Sequence, residues 1–289
     1  MEKGLLFGGK TERILAGIIT IIGLIIFGYL TWYSFRYTYN FVPDYSEMFT
    51  IEKDSMLLHV IVLIVCVAAT VLCSYFGKNI SENAVLFSVM TVMTILGFWW
   101  VSVVHAQPCT DQKWVVEVAY SLMDGDYTIL KPDQYFGTYT YQLGLAVIFR
   151  FLFTVCRIRD YRVIQYCNVL CVPIIILAGY KIVRYLGGKN KTAIFYCLLA
   201  LTCFPLLFYV PFVYGEIFSV MAGMVFVWLL MAYVRDRQNR LLLPVTLCSV
   251  LGVLTRGNFW IVIKAAGIVL ALYGIKRKDG MFLLLLLFI

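Results

Sequence analysis

The stretch HAQPCTDQKWVVEVAYSLMDGDYTILKPDQYFGTYTYQLG, residues 105–144, is the longest polar segment of a chain that is otherwise almost continuously apolar. It contains five acidic residues against two lysines, a net charge of −3 in a protein whose total charge is +8. Apolar runs on both sides of it are long enough for membrane-spanning helices. We therefore expect residues 105–140 to form a large acidic loop inserted between two spans.

The composition excludes a soluble globular protein. The 289 residues are 62% hydrophobic and 14% charged, with a mean hydropathy of +0.87, whereas soluble domains are roughly 45–50% apolar and roughly 25% charged. The sequence predicts an all-α, polytopic transmembrane helix bundle that forms one domain over residues 1–289. The basic residues sit in short loops between apolar runs, as positive-inside orientation requires, so membrane lipids rather than nucleic acid are the expected partners.

Individual spans are predicted by apolar runs that approach the roughly 20 residues a membrane crossing needs. Three runs precede the acidic loop and four lie in the second half of the chain: 14–35, 57–76, 84–104, 192–213, 216–234, 241–254 and 259–275. Lysine and arginine precede the first run and acidic residues follow it, which favours a cytoplasmic N-terminus and an outer acidic loop. The expected location is the plasma membrane, with the active face outside.

Two further helical segments, 141–156 and 163–183, leave the topology between them open. Two full crossings would place the basic sequence RYLGGKNK, residues 184–191, outside, against the charge rule. Either 141–156 is a partial or tilted element, or the rule fails at this point. The final apolar run, 282–289, has about half the length of a span, so we expect a fragment truncated at its C-terminus.

Asp111 is the candidate catalytic residue of the acidic loop. It precedes VVEVAYSLM, whose apolar residues follow helical spacing and predict a short amphipathic helix on the membrane surface. A carboxylate at such a surface can act as the general base for an acceptor hydroxyl. The alternative is structural, because aspartate is a favoured N-cap and Asp111 would cap this helix.

Charged residues at the ends of later spans supply the candidate binding site. Glu216 ends the sequence VYGE between two apolar runs, where it either serves the site or stabilises the following helix. Arg256, Trp260 and Lys264 are four residues apart, so a helix that begins at TRGN would place them on one face. Two cations and an indole predict a phosphate or pyrophosphate pocket, with snorkelling to the headgroups as the alternative.

The order of these motifs resembles that of the GT-C membrane glycosyltransferases, the superfamily of dolichyl-phosphate-mannose protein mannosyltransferases and bacterial aminoarabinose transferases. The similarity covers roughly residues 95–275: a span that ends outside, an aspartate early in the first large outer loop, an amphipathic helix, GDY, and the tyrosine-rich YTYQLG before the next span. VYGE looks like the tyrosine–threonine–glutamate motif of some members, and TRGN like their later arginine motif. Three spans rather than one precede the loop, and YQLG replaces the double proline of many members.

The resemblance implies a membrane glycosyltransferase that transfers a sugar, with inversion, from a polyprenyl-phosphate donor to a glycan, lipid or protein acceptor at the outer face. Asp111 would be the base, and Arg256 and Lys264 would hold phosphate. Further substrate contacts are expected from Gln112, Tyr139, Tyr141, Glu216 and Trp260. A divalent cation is possible, but Gln112 replaces the second acid of a metal-binding pair, so no metal ligand is predicted. The alternative function is a transporter or lipid flippase of the cell-envelope glycan pathway, which would need no base in the outer loop.

Overall fold

The computed structural model describes residues 10–41, 49–76 and 81–277, and its contacts divide the chain into two units, Met1–Phe76 and Gly77–Ile289. In these ranges the chain is almost entirely helical, with twelve α-helices and one two-stranded sheet. The all-α class is therefore confirmed. The terminal run 282–289 lies outside the described residues, so the expected truncation stays a prediction, as does the single domain.

The first unit contains two helices joined by a β-hairpin. Helix α1 covers Lys10–Arg36 and α2 covers Met56–Phe76, as the two apolar runs predict. Between them, β1 (Tyr37–Phe41) pairs antiparallel with β2 (Phe49–Lys53), with Tyr37 opposite Lys53. The sequence analysis did not predict this hairpin, although β-branched and aromatic residues are frequent in both strands and favour a pleated surface.

The second unit contains the remaining ten helices. The long ones are α3 (Glu82–Val104), α7 (Arg162–Tyr185) and α10 (Glu216–Asp236). The shorter ones are α4 (Thr110–Met123), α5 (Tyr135–Thr138), α6 (Leu143–Cys156), α8 (Asn190–Leu201), α9 (Phe204–Phe208), α11 (Leu242–Thr255) and α12 (Trp260–Arg277). Of the described helices, α1, α3, α7 and α10 are long and apolar enough to cross a membrane.

Helix α3 shows how this bundle divides its apolar surface. Leu86, Val89, Met93 and Val101 recur at helical spacing and are buried against α7 and α8. At Gly97, Val169 of α7 approaches so closely that an added Cβ would lie 3.0 Å from its side chain. The opposite face of α3 is equally apolar but exposed. Such a surface is unusual for a protein in water and is normal for a helix that faces lipid.

Two polar contacts between α3 and α7 define the two ends of the bundle. The Arg184 guanidinium near the end of α7 lies 3.5 Å from the Glu82 carboxylate at the start of α3. At the other end, the Gln165 side chain near the start of α7 donates to the carbonyl of Ala106, 2.9 Å away, just beyond α3. The helices are therefore antiparallel. We call the end at Ala106 the site end and the end at Glu82 the basic end.

Helix α6 covers most of the segment 141–156, whose path the sequence left open. The guanidinium of Arg159, just after α6, forms two hydrogen bonds of 2.7–2.8 Å with the carboxylate of Asp124, just after α4. Arg159 also lines a cavity with His105 and Ala106, so both helices end near the site end, where α7 starts. With 14 residues, about 21 Å, α6 is also short for a crossing. These contacts are compatible with the partial-element alternative, which stays a prediction, and Arg184 lies at the basic end.

The predicted span 192–213 is not one helix. It comprises α8 and the five-residue helix α9, followed by an irregular segment that ends at Gly215. Pro205 lies in the first turn of α9, where it lacks the N–H that would continue α8. Residues 209–215, which include Pro211, form turns and irregular backbone that leads to the start of α10.

Candidate functional site

The candidate site lies at the site end, where two glycines let three segments approach closely. A Cβ added at Gly144 would lie 2.7 Å from the carbonyl oxygen of Leu254, and one added at Gly215 would lie closer still to the carbonyl of Thr255. Only a residue without a side chain permits such backbone contact. The start of α6, the start of α10 and the end of α11 therefore meet, which brings YQLG, VYGE and TRGN together.

Three buried amide side chains hold the segment 210–213 that leads into VYGE. Asn168, which is 0% exposed, donates to the carbonyls of Val210 and Phe212 at 3.0 Å each. Gln165 donates to the carbonyl of Pro211 at 2.8 Å, and the Gln112 side-chain oxygen accepts from the Val213 N–H at 3.0 Å. Four consecutive residues of irregular backbone are thus satisfied inside the protein, as backbone at membrane depth must be.

Asp111 is exposed in the first turn of α4, next to the ring of Tyr135. The Tyr135 ring stacks on Trp114 with 5.6 Å between centroids. Burial raises the pKa of the Tyr135 hydroxyl, and its hydrogen bond to the Asp111 carboxylate raises it further. Tyr135 therefore stays protonated and donates that proton to Asp111. The carboxylate is thus oriented by a neighbour while one side of it remains open to solvent.

The backbone next to Asp111 is strained. Thr110 has φ +46°, a value that β-branched residues avoid because Cβ then crowds the carbonyl oxygen. Residues in such conformations cost about 1–3 kcal/mol and are concentrated at functional sites. The strain at Thr110 is consistent with a fixed position for the neighbouring carboxylate.

A cavity of about 280 Å³ opens beside these residues. Its lining combines the three motifs: Tyr141, Gln142, Leu145, Tyr214, Thr255, Arg256, Gly257 and Asn258. Gln142 connects the cavity to Asp111, because its amide nitrogen donates to the Tyr135 hydroxyl at 3.0 Å. Tyr141 is largely exposed at the mouth, with its ring edge against Tyr139.

Arg256 is the positive charge of this cavity. Its guanidinium lies 2.6 Å from the Glu216 carboxylate and 4.8 Å from the centre of the Tyr214 ring. Burial raises the pKa of Tyr214 to about 12, with a further contribution from the charge of Asp111. Tyr214 therefore remains neutral, and it is close enough to both Asp111 and Arg256 to be affected by their charges. One ion pair leaves several of the five N–H donors of Arg256 available to an anion.

An apolar groove of about 440 Å³ begins on the other side of Arg256. Beyond Glu216 it follows one face of α10 and is bounded by the start of α12, through Ser219, Val220, Gly223, Met224, Val227, Phe259 and Val262. Arg256 and Asn258 line both the groove and the cavity. A polar compartment and an apolar one thus share a cationic junction.

Only some of the predicted site residues lie where the sequence predicts them. The structure brings Asp111, Tyr139, Tyr141, Glu216 and Arg256 to the site end. The predicted N-cap role of Asp111 is wrong, because the N-cap is Cys109 and Asp111 lies one residue inside the helix. Gln112 is buried and bonded to the 210–213 segment, so it positions backbone, and it does not line the cavity.

The predicted common face of Arg256, Trp260 and Lys264 is wrong. Arg256 has extended backbone with φ −151°, a 3₁₀ turn follows, and α12 begins only at Trp260. Trp260 and Lys264 are exposed and line neither the cavity nor the groove. Arg256 reaches the site alone, while substrate contact by the other two stays a prediction.

Sequence reasoning missed Tyr135, Gln142, Gln165 and Asn168. Gln165 and Asn168 carry a detectable signal, since two amides one turn apart inside an apolar run are expensive unless they bond to something. Tyr135 and Gln142 stand among other polar residues and carry no such signal.

No group of three or more histidine, cysteine, aspartate or glutamate side chains that could hold a metal ion occurs within residues 10–41, 49–76 and 81–277. Comparison of the chain with protein-family models, with curated proteins and with solved structures gives no match.

Proposed function

We propose that this protein is an integral-membrane glycosyltransferase of the GT-C type, which transfers a sugar from a polyprenyl-phosphate donor to an acceptor at the outer face of the membrane. The observation that carries the proposal is the junction at Arg256 between a polar cavity and an apolar groove. An amphipathic ligand with a polar head, an anionic linkage and an apolar chain matches all three parts, and a polyprenyl-phosphate sugar has this order of groups.

In this reading Arg256 binds the donor phosphate, the polyprenyl chain follows the groove along α10, and the sugar occupies the cavity. Glu216 holds the guanidinium in place through its 2.6 Å contact, and the Tyr214 ring supports it from one side. Arginine suits this role because its planar group can form two parallel hydrogen bonds with a phosphate.

Asp111 acts as the base. Its carboxylate takes the proton of an acceptor hydroxyl, and the acceptor oxygen forms a bond to the anomeric carbon on the face opposite the phosphate. The bond from that carbon to the phosphate oxygen breaks, and its electron pair leaves with the polyprenyl phosphate. Arg256 stabilises the charge that develops on the leaving group, in a site where fixed charges act more strongly than in water. Inversion at the anomeric carbon follows from this single displacement.

The membrane orientation is part of the proposal. Arg184, Lys189 and Lys191 lie at the basic end. Arg235, in the last turn of α10, and Arg237, just after it, lie there too, because Asp236 between them accepts a hydrogen bond from Tyr185. Positive charge marks the cytoplasmic side. The site end, with the acidic segment, would then face outward, and the expected acceptor is a glycan, lipid or protein on that side.

Obstruction of the groove tests the proposal. Gly223→Trp adds an indole where the lining residues of α10 and α12 face each other, and we expect the affinity for undecaprenyl phosphate in nanodiscs, measured by native mass spectrometry, to fall at least tenfold. The matched control is Val250→Trp, which places the same side chain on an exposed face of α11 and should leave the affinity unchanged. Equal affinities of the two variants would show that the groove does not bind the polyprenyl chain.

A flippase would give a different result in a second arm. Reconstituted wild-type protein that moves labelled polyprenyl-phosphate sugar across the vesicle membrane, with no release or transfer of the sugar, would favour the transporter over the enzyme.

A further inference from the structure

The side chain of Gln142 carries an acceptor that no group of the protein satisfies. Gln142 is 5% exposed and lines the cavity, and its side-chain oxygen has no hydrogen-bond partner among the described residues. Its nitrogen, in contrast, donates to Tyr135 at 3.0 Å and lies 3.4 Å from the Tyr141 hydroxyl. Buried acceptors are almost always paired. The unpaired oxygen of Gln142 therefore indicates that a bound ligand supplies the donor.

The orientation of the amide follows from its neighbours. The amide nitrogen can only donate, and it is the atom that faces the hydroxyls of Tyr135 at 3.0 Å and of Tyr141 at 3.4 Å. Tyr135 must therefore accept from Gln142. The oxygen is left without a partner.

Tyr141 is a movable neighbour of the Gln142 amide. Its ring is 64% exposed, and among the described residues its hydroxyl makes only the long contact with the Gln142 nitrogen. Such a side chain can rotate into solvent at little cost. A ligand in the cavity can therefore displace it and reach the oxygen of Gln142.

The cavity thus offers a cation at Arg256 and a vacant acceptor at Gln142, so its best ligand presents an anion and a hydrogen-bond donor together. We propose that the Gln142 oxygen accepts a hydrogen bond from a hydroxyl or N–H of the donor's sugar, an inference that rests on the proposed function. The site then distinguishes the sugar-loaded carrier from the empty polyprenyl phosphate that the reaction leaves behind. Loss of this bond after transfer favours release of the spent carrier.

The test compares the binding of undecaprenyl phosphate with that of its glucosyl, mannosyl and galactosyl derivatives in nanodiscs. We expect the wild type to bind at least one derivative about tenfold more tightly than the empty carrier, the effect of one neutral hydrogen bond to a buried group. Gln142→Met has a similar volume and no acceptor, so it should bind both forms equally, with its affinity for the empty carrier unchanged. That unchanged affinity also shows that the variant is folded.

Two further variants distinguish the effect of the Gln142 oxygen from the effects of neighbouring residues. Tyr135→Phe removes the acceptor that fixes the amide nitrogen of Gln142, so the amide can turn over and the preference for the loaded carrier should weaken without vanishing. Gln134→Met, an exposed glutamine of the same segment, is the matched control and should behave as the wild type. Soluble hexose 1-phosphate, added as a competitor, shows whether the lipid is needed.

The outcomes are distinct. A preference that survives in Gln142→Met, or a wild type that binds every form equally, overturns the role of Gln142 and leaves the proposed function standing. A wild type that binds none of these lipids overturns the proposed function itself.

Discussion

Gly215→Ala tests whether the site is assembled by close backbone contact. Gly215 has φ −84° and ψ −1°, a conformation that alanine adopts without strain. In open space the substitution would stabilise the protein by about 0.4–1 kcal/mol, because alanine restricts the unfolded chain. Here the new Cβ would lie within 3.0 Å of the Thr255 carbonyl oxygen, a distance that real Cβ contacts essentially never show.

The clash cannot be relieved by a side chain, because the atom it meets belongs to the backbone. The start of α10 and the end of α11 must move apart, and we expect a net loss of about 1–3 kcal/mol, as for overpacked sites. The same movement separates Glu216 from Arg256, so the affinity for undecaprenyl phosphate should fall about tenfold or more.

The assay measures the thermal unfolding midpoint in detergent and lipid binding in parallel. The matched control is Gly257→Ala, in the TRGN motif beside the same cavity, where an added Cβ would meet nothing within 4 Å. It should change stability by less than about 0.5 kcal/mol. If Gly215→Ala and Gly257→Ala behave alike in both measurements, the close contact between VYGE and TRGN does not exist.

Three other substitutions probe the supports of the site. Asn168→Leu removes two hydrogen bonds and leaves carbonyls of the 210–213 segment unpaired, so it should destabilise the protein by about 2–4 kcal/mol in denaturant titration; a loss below 0.5 kcal/mol would contradict the clamp. Thr110→Gly relieves the positive φ and should raise the unfolding free energy by about 1 kcal/mol, whereas a decrease would show that no strain is stored there. Glu216→Gln removes the charge that holds the Arg256 guanidinium in place, so affinity for polyprenyl phosphate should fall about two- to tenfold in weak salt; tighter binding would mean that the carboxylate mainly competes with the phosphate.

The long helices could be predicted because their apolar runs carry their own signal. The predicted spans 84–104, 216–234 and 241–254 differ from the observed helices by one or two residues at their ends. Length and hydropathy decide such elements locally. The failure at 192–213 has a local cause as well, since Pro205 and Pro211 stand in the run and make two shorter pieces of it.

The features that the sequence could not predict depend on contacts between residues far apart in the chain. The end of 141–156 lies beside the end of α4 because Arg159 pairs with Asp124, thirty-five residues earlier, which no periodicity reveals. In the same way, the spacing of Arg256 and Lys264 suggested a shared face only on the assumption of a continuous helix, and the extended backbone at Arg256 removes it.

The charged residues of the candidate site were predicted, whereas of the neutral residues that line the cavity only Tyr141 was. Asp111, Glu216 and Arg256 are conspicuous in an apolar chain, whereas Gln142 and Tyr135 gain their roles only from the partners that the fold brings to them.

Sugar transfer by the wild type and by Asp111→Asn tests the central claim most directly. Purified protein in nanodiscs is incubated with a panel of radiolabelled polyprenyl-phosphate sugars, with Asp133→Asn as the control because that acid is exposed in the same segment. We expect the wild type and Asp133→Asn to release or transfer labelled sugar, and Asp111→Asn to bind donor normally while its rate falls about 10²–10⁴-fold, the usual contribution of a general base. Equal rates in wild type and Asp111→Asn, or no consumption of any donor, would contradict the assignment of Asp111 and the glycosyltransferase reading with it.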